Sequence, residues 1–240
     1  MRFSYKSQIV EFKPKLVPLV SFFVALGILI SLSSWQFKRL KWKENLINLR
    51  ITNFEKPAED IASFKEPSKN EFRKVTVTGK FLNNQEMFMP ALSKNGNNGF
   101  HILVPLKTSD ERYYIFDTGW IPLKLKEKSL RVENIVNEVK QFEAVIRTPG
   151  RKGYFQPDND IIKNTWFFVE PKLMSYYLKI PFVNEIYLEA VNDGPSGYPL
   201  GNQTRIYLRN NHLQYALTWL FLCFSLIGVF LFSNLKIIKK

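Results

Sequence analysis

Two stretches of this chain are almost wholly apolar, and between them apolar and polar residues alternate. The first, L-V-P-L-V-S-F-F-V-A-L-G-I-L-I-S-L-S-S-W, covers residues 16–35, and the second, L-Q-Y-A-L-T-W-L-F-L-C-F-S-L-I-G-V-F-L-F, covers residues 213–232. Each has about 20 residues and no charge, and a helix of that length spans roughly 30 Å, the thickness of a hydrocarbon core. A charge at mid-bilayer costs at least about 2.5 kcal/mol on insertion scales, so the absence of charge is informative. Both are expected to be transmembrane helices. For the first, a signal peptide is the alternative: Arg2, Lys6, Lys13 and Lys15 would be its basic region, and Ser31 and Ser33 its small cleavage-site residues. The apolar stretch exceeds the roughly 7–15 residues usual for such a peptide, which favours a retained anchor. A leader of about 15 residues is too short for a separate mitochondrial transit peptide, which points to a bacterial membrane.

The helical pattern continues past the first apolar run. Trp35, Gln36, Arg39, Trp42 and Lys43 share one face at a 3.6-residue period, so the helix is expected to project beyond the bilayer with Trp35 at the interface. Pro57 and Pro67 bracket a polar connector. Strands follow. In R-K-V-T-V-T-G-K-F, Val75, Val77 and Phe81 alternate with Lys74, Thr76, Thr78 and Lys80, the pattern of a half-buried strand. After M-F-M-P comes the turn signal K-N-G-N-N-G, and F-H-I-L-V-P-L and Y-Y-I-F-D flank a short hairpin link, T-S-D-E. F-E-A-V-I-R, W-F-F-V and E-I-Y-L-E-A-V each predict a strand, and P-K-L-M-S-Y-Y-L-K a short helix with Pro171 in its first turn. Residues 124–140 fit helix or loop. No regular helical crossovers separate the strands. The expected fold is therefore α+β: a mainly antiparallel β external domain, a sheet or partly closed barrel with a few helices, between two transmembrane helices.

This gives a cytoplasmic tail at 1–15, a first span at 16–35, a periplasmic β-rich domain at 36–212, a second span at 213–232 and a cytoplasmic tail at 233–240. Two spans put both tails on one side, and a loop as long as the middle translocates largely regardless of charge. The basic tails favour the cytoplasm, although Lys38, Arg39, Lys41 and Lys43 lie just beyond the first span. Of the net charge of +13, the tails carry +6. Lipid flanks and a Lys-, Asn- and Ile-rich composition account for this excess, and no motif supports nucleic-acid binding. The single cysteine, Cys223, lies in the second span, which excludes a disulfide, a CxxC pair and a cysteine zinc site.

Catalytic motifs are scarce. Y-I-F-D-T-G-W contains the D-T-G of aspartic proteases, but a monomer needs two such carboxylates and this chain has one. The position after the glycine, usually small, is Trp120. A strand ending in a tight turn explains the motif better, and a membrane-bound protease remains the remote alternative. Of the two histidines, His101 sits in an apolar strand as a structural residue. No GxGxxG, P-loop or HExxH motif occurs, and R-T-P-G-R-K-G-Y-F reads as a solvated turn rather than a phosphate cradle. No catalytic residue is assigned, and the chain is not expected to be an enzyme. His212 differs: it stands just before the second span in L-R-N-N-H-L-Q-Y-A-L-T-W. A neutral imidazole there can ligate a metal or haem iron, or simply cap the helix at the interface. Arg205 and Arg209 are near enough in sequence to meet carboxylates such as haem propionates, and Tyr215 and Trp219 lie on the helical face of His212.

Taken in order, W-Q-F-K-R-L-K-W-K, R-K-V-T-V-T-G-K-F, G-W-I-P, N-T-W-F-F-V and L-R-N-N-H-L-Q-Y-A-L-T-W resemble the SURF1 family, from about Trp35 to Trp219 and in the two-span layout. Two departures stand out: the Gly-Trp pair, usually preceded by Asn-Arg, follows Asp117-Thr118, and Glu170 replaces a common Asp. The resemblance implies a bacterial inner-membrane factor for assembly of cytochrome c oxidase, binding or delivering haem a during maturation of subunit I. The histidine matching His212 is the family's candidate iron ligand. The expected site then comprises His212, Tyr215, Trp219 and Arg209, closed from the first helix by Trp35, Gln36, Arg39 and Trp42. Expected partners are oxidase subunit I, other oxidase assembly factors and the bilayer, with no nucleic acid. The alternative within this setting is a scaffold that stabilises oxidase intermediates without touching haem.

Overall fold

The computed structural model describes residues 2–5 and 8–239, with side chains from 11 to 235. Lys6 and Lys240, counted with the basic tails, lie outside the described residues. The regular elements in chain order are β1 (Arg2–Tyr5), β2 (Gln8–Phe12), α1 (Leu16–Glu55), β3 (Glu59–Asp60), β4 (Lys74–Phe81), β5 (Met87–Leu92), β6 (Asn98–Thr108), β7 (Tyr113–Pro122), β8 (Lys140–Arg147), α2 (Pro171–Leu178), β9 (Tyr187–Ala190), α3 (His212–Asn234) and β10 (Leu235–Lys239). They divide into two compact units, residues 1–48 with 208–240, and residues 49–207.

The first unit is a helix pair. Both α1 and α3 are long and apolar enough to cross a membrane. Their large apolar side chains, among them Leu16, Val20, Phe23, Phe221, Phe224 and Val229, face outward, which suits helices solvated by lipid tails. The helices run antiparallel, as three contacts show: Phe22 stacks on Phe230 at 4.1 Å between ring centroids, the Ser33 hydroxyl donates to the Ala216 carbonyl at 3.0 Å, and Gln36 meets His212. Ser33 and Ala216 are buried where the helices touch, and small residues allow that approach. At the far end the tails do more than trail off: β1, β2 and β10 form an antiparallel sheet in that order, so both termini leave the helix pair at the same end.

The second unit is a small barrel. Five strands pair in a ring, β4–β8–β9–β7–β6 and back to β4, with β3 added beside β4 and β5 beside β6. All pairs are antiparallel except β3–β4 and β7–β9. Gly79 is the corner: β4 pairs with β8 up to Gly79, then with β6 from Gly79 to Phe81. A Cβ there would lie 2.5 Å from the Lys107 carbonyl oxygen, so only glycine lets the two backbones approach this closely. Val75, Val77 and Phe81 point into the barrel with Ile102, Val104 and Phe116, as the alternation in β4 predicts.

F-H-I-L-V-P-L is apolar throughout because β6 is covered on both faces. Ile102, Val104 and Leu106 fill the barrel, while Leu103 joins Met87, Ile115, Trp166 and Met174 in a second core beneath α2. That helix starts at Pro171 and ends at Lys179 in the left-handed region. Two expectations change. W-F-F-V forms no strand: Trp166 is fully buried, but its amide bonds only Phe88, and the amides of Phe167 and Phe168 both turn to the Asn159 side chain. Nor does β7 end at the glycine. It runs on to Pro122, with Gly119 at φ +120° beside the Leu200 carbonyl and Trp120 pairing with Leu200. The ambiguous stretch resolves into two 3-10 segments, Leu123–Leu125 and Lys128–Asn134.

Candidate functional site

The polar centre of the helix pair is built where α3 begins. Asn210 accepts the His212 backbone N–H through its side chain at 3.4 Å, and the Asn211 carbonyl takes the first helical bond, from Tyr215, at 3.2 Å. The helix therefore starts at His212 itself, which fixes the imidazole at its first position. With its carboxamide oxygen turned toward the guanidinium, Asn211 accepts two hydrogen bonds from Arg209, both at 2.9 Å, and holds that side chain beside the helix start.

Across from α3, Gln36 lies 2.7 Å from the ring, its Oε1 facing His212 Nδ1. A carboxamide oxygen only accepts, so in this arrangement Nδ1 is the donor, and in a neutral ring Nε2 is then the lone-pair nitrogen. A hydrogen bond on one ring nitrogen that prepares the other as a donor is the second contact expected of a metal-binding histidine. Both residues are half-buried. One turn beyond Gln36, the Arg39 guanidinium stacks on the Trp42 ring at 3.8 Å. Trp35 and Tyr215 are about half exposed and Trp219 is half-buried. The structure thus joins His212 to Gln36, Arg39 to Trp42, and Arg209 to Asn211. Tyr215 and Trp219 share the helical face of His212.

A second polar cluster lies inside the barrel unit. Asp117 is 3% exposed; its Oδ2 lies 2.6 Å from His101 Nδ1 and its Oδ1 accepts the Gly119 N–H at 2.9 Å. Burial works against a charged His101, but the Asp117 charge and hydrogen bond, helped by Glu189 and opposed by Arg205, outweigh it and raise the ring's pKa above its usual value. With both carboxylate oxygens engaged, Asp117 braces the strand pair at the bulge between His101 and Leu103 rather than facing a substrate. Nearby, Glu189 accepts from Arg147, Tyr187 and Thr204. Burial, with Glu189, pushes the Tyr187 hydroxyl well above its ordinary pKa.

Sequence reasoning missed the His101–Asp117 pair and Ser33. A histidine and an aspartate 16 residues apart carry no shared motif, and their pairing follows from hairpin register. In the sequence Ser33 is a small residue near a possible cleavage site, and a hydroxyl within an apolar run is its one further signal. Among the described residues no three His, Cys, Asp or Glu side chains come together as a metal site.

Fold and site together describe a membrane-anchored protein: two spanning helices joined at a histidine–glutamine contact, and a small β-barrel carried between them in sequence. The family model for the SURF1 family matches residues 23–224, and the chain belongs to that family. It is similar to a SURF1-like protein of Rickettsia felis, 29% identical over 95% of this chain and 99% of the relative. A SURF1-like protein of Rickettsia conorii is 30% identical over 87% of each chain. Surfeit locus protein 1 of Gallus gallus is 28% identical over 87% of this chain and 70% of its own.

Proposed function

We propose that this protein assists assembly of a haem-copper terminal oxidase from a bacterial inner membrane, binding or delivering haem a as oxidase subunit I matures. Membership of the SURF1 family supports the oxidase setting. The observation that carries the haem reading is the contact between Gln36 Oε1 and His212 Nδ1, which makes Nε2 the lone-pair nitrogen of a neutral ring. Since no three His, Cys, Asp or Glu side chains come together among the described residues, His212 suits an iron already held by a macrocycle better than a bare ion, which wants three or more protein ligands. His212 would hold the iron, Arg209 would meet a propionate, and the rings of Trp35, Trp42, Tyr215 and Trp219 would cover the macrocycle. Haem itself supplies the redox and oxygen chemistry only later, in the oxidase. In this reading the tails are cytoplasmic and the barrel periplasmic.

The test is complementation of a deletion strain, with oxidase activity and membrane haem a spectra read together. Wild type is expected to restore both, while His212→Ala, at equal protein level, restores neither. Full restoration by His212→Ala would contradict haem ligation and favour a scaffold that contacts the oxidase through its barrel.

A further inference from the structure

Turns are ordinarily built from Gly, Asn, Asp, Pro and Ser, and large apolar residues at a turn's centre are unusual. The connector between β8 and α2 breaks that rule in G-Y-F-Q. Gln156 donates its backbone N–H to the Gly153 carbonyl at 3.0 Å, so Tyr154 and Phe155 take the two central positions. The Gln156 side chain braces this turn: Oε1 accepts the Gly153 N–H at 3.0 Å, and Nε2 donates to the Phe167 carbonyl at 2.6 Å. Held in this way, both rings stand 94% exposed, in edge contact at 4.9 Å between centroids. A second turn, closed by the pairing of Asp160 with Thr165, holds out Ile162 to the same extent. Single exposed apolar residues are ordinary, but adjoining rings on a braced turn form a patch, and polar-rimmed patches mark interaction sites. Positive charge lies beside both tips. Arg151 and Lys152 precede the rings, Lys163 follows Ile162, and all three are exposed. Lys152 pairs with Asp158, and Lys163 with Asp160 at 3.5 Å. Exposed pairs of this kind are weak, so both lysines can turn to another anion.

We propose that the Tyr154–Phe155 turn docks the barrel unit on the anionic headgroup surface of the bilayer, a membrane contact additional to the two spans and independent of haem binding. Three features favour lipid over a protein partner. The barrel unit continues at both ends into the spanning helices, so the bilayer is always present at high effective concentration. Aromatic rings flanked by cations are the composition of a membrane interface: the rings sit at headgroup level and the cations meet phosphates. Lastly, three apolar side chains fall far short of the roughly 800 Å² per partner that a stable protein interface buries, whereas a domain already tethered needs only a shallow anchor.

The test uses the full chain in nanodiscs of phosphatidylcholine, alone or mixed with phosphatidylglycerol. A nitroxide is attached at Phe155→Cys and, separately, at Tyr154→Cys; the parent chain, whose one cysteine, Cys223, is buried, is the labelling blank. Relaxation of the label by oxygen, which concentrates in the bilayer, is compared with relaxation by a nickel chelate confined to water. With phosphatidylglycerol present, both labels are expected to meet oxygen more than the chelate, and the balance to move toward the chelate in phosphatidylcholine alone. Arg151→Gln combined with Lys152→Gln is expected to lower insertion about 5- to 25-fold, at about fivefold for each cation near an anionic surface. Replacing the remaining ring by serine is expected to return the label to water, which separates the contribution of the rings from that of the label. Labels that stay in water in both nanodiscs would overturn lipid docking and point to a protein partner. Equal insertion in both lipids and in the Arg151–Lys152 variant would overturn the anionic headgroup as the surface recognised.

Discussion

At the scale of residues, the decisive pair is Gln36 and His212. In the haem reading the glutamine is a positioning residue: it accepts from His212 Nδ1, orients the ring and would not itself reach a bound iron. Gln36→Leu is therefore expected to weaken haem binding by roughly 10- to 100-fold, the usual cost of removing such a partner, while Gln36→Glu, which still accepts from Nδ1, keeps most of it. Titration of the purified variants with haem checks this, and equal affinity for the leucine variant would contradict it. The His101–Asp117 pair makes a different prediction. Because the folded-state pKa of His101 is raised, the native state holds the proton more tightly than the unfolded chain. Its stabilisation is complete below an unfolded pKa of about 6.5 and fades as pH rises through the higher folded value. Melting of the wild type against pH is expected to show that decline, and His101→Gln to flatten it. Neither pair is visible in the sequence as a pair, because each depends on register or helix packing that brings distant positions together.

At the scale of elements, the reading succeeds where periodicity and burial agree. The alternation in β4, the hairpin of β6 and β7, and the proline-started α2 all follow from local pattern. W-F-F-V misleads because three aromatics beside a valine satisfy strand propensity, whereas Trp166 earns its burial through packing alone. Trp166→Ala is accordingly expected to cost about 3–5 kcal/mol, read by denaturant unfolding, as deletion of a large core aromatic does. Gly79 looks in sequence like a weakness in a strand and is instead the bend that closes the barrel. Gly79→Val is expected to prevent a stable fold, since its side chain would collide with the Lys107 backbone; a native melt for that variant would contradict the corner assignment. The ring closure itself was legible only as a choice between sheet and barrel. Strand order depends on pairings such as β4 with β6, between strands about 25 residues apart, for which alternation carries no information.

At the scale of the whole molecule, two uncharged runs and a strand-rich middle already define the architecture, and the SURF1 family match agrees with the motifs that straddle the spans. What the sequence could not place was the sheet joining the two tails, because short tails with alternating residues also read as membrane flanks. The antiparallel helix pair brings the two ends of a 36–212 loop to one polar point, so a histidine from the far end of the chain meets a glutamine from the near end. The measurement that tests this account most directly is the absorption spectrum of the detergent-purified protein made in cells that synthesise haem a, beside His212→Ala. The account predicts a haem a spectrum in the wild type that is lost in the folded variant. A spectrum unchanged in His212→Ala, or no haem in either protein, would contradict it.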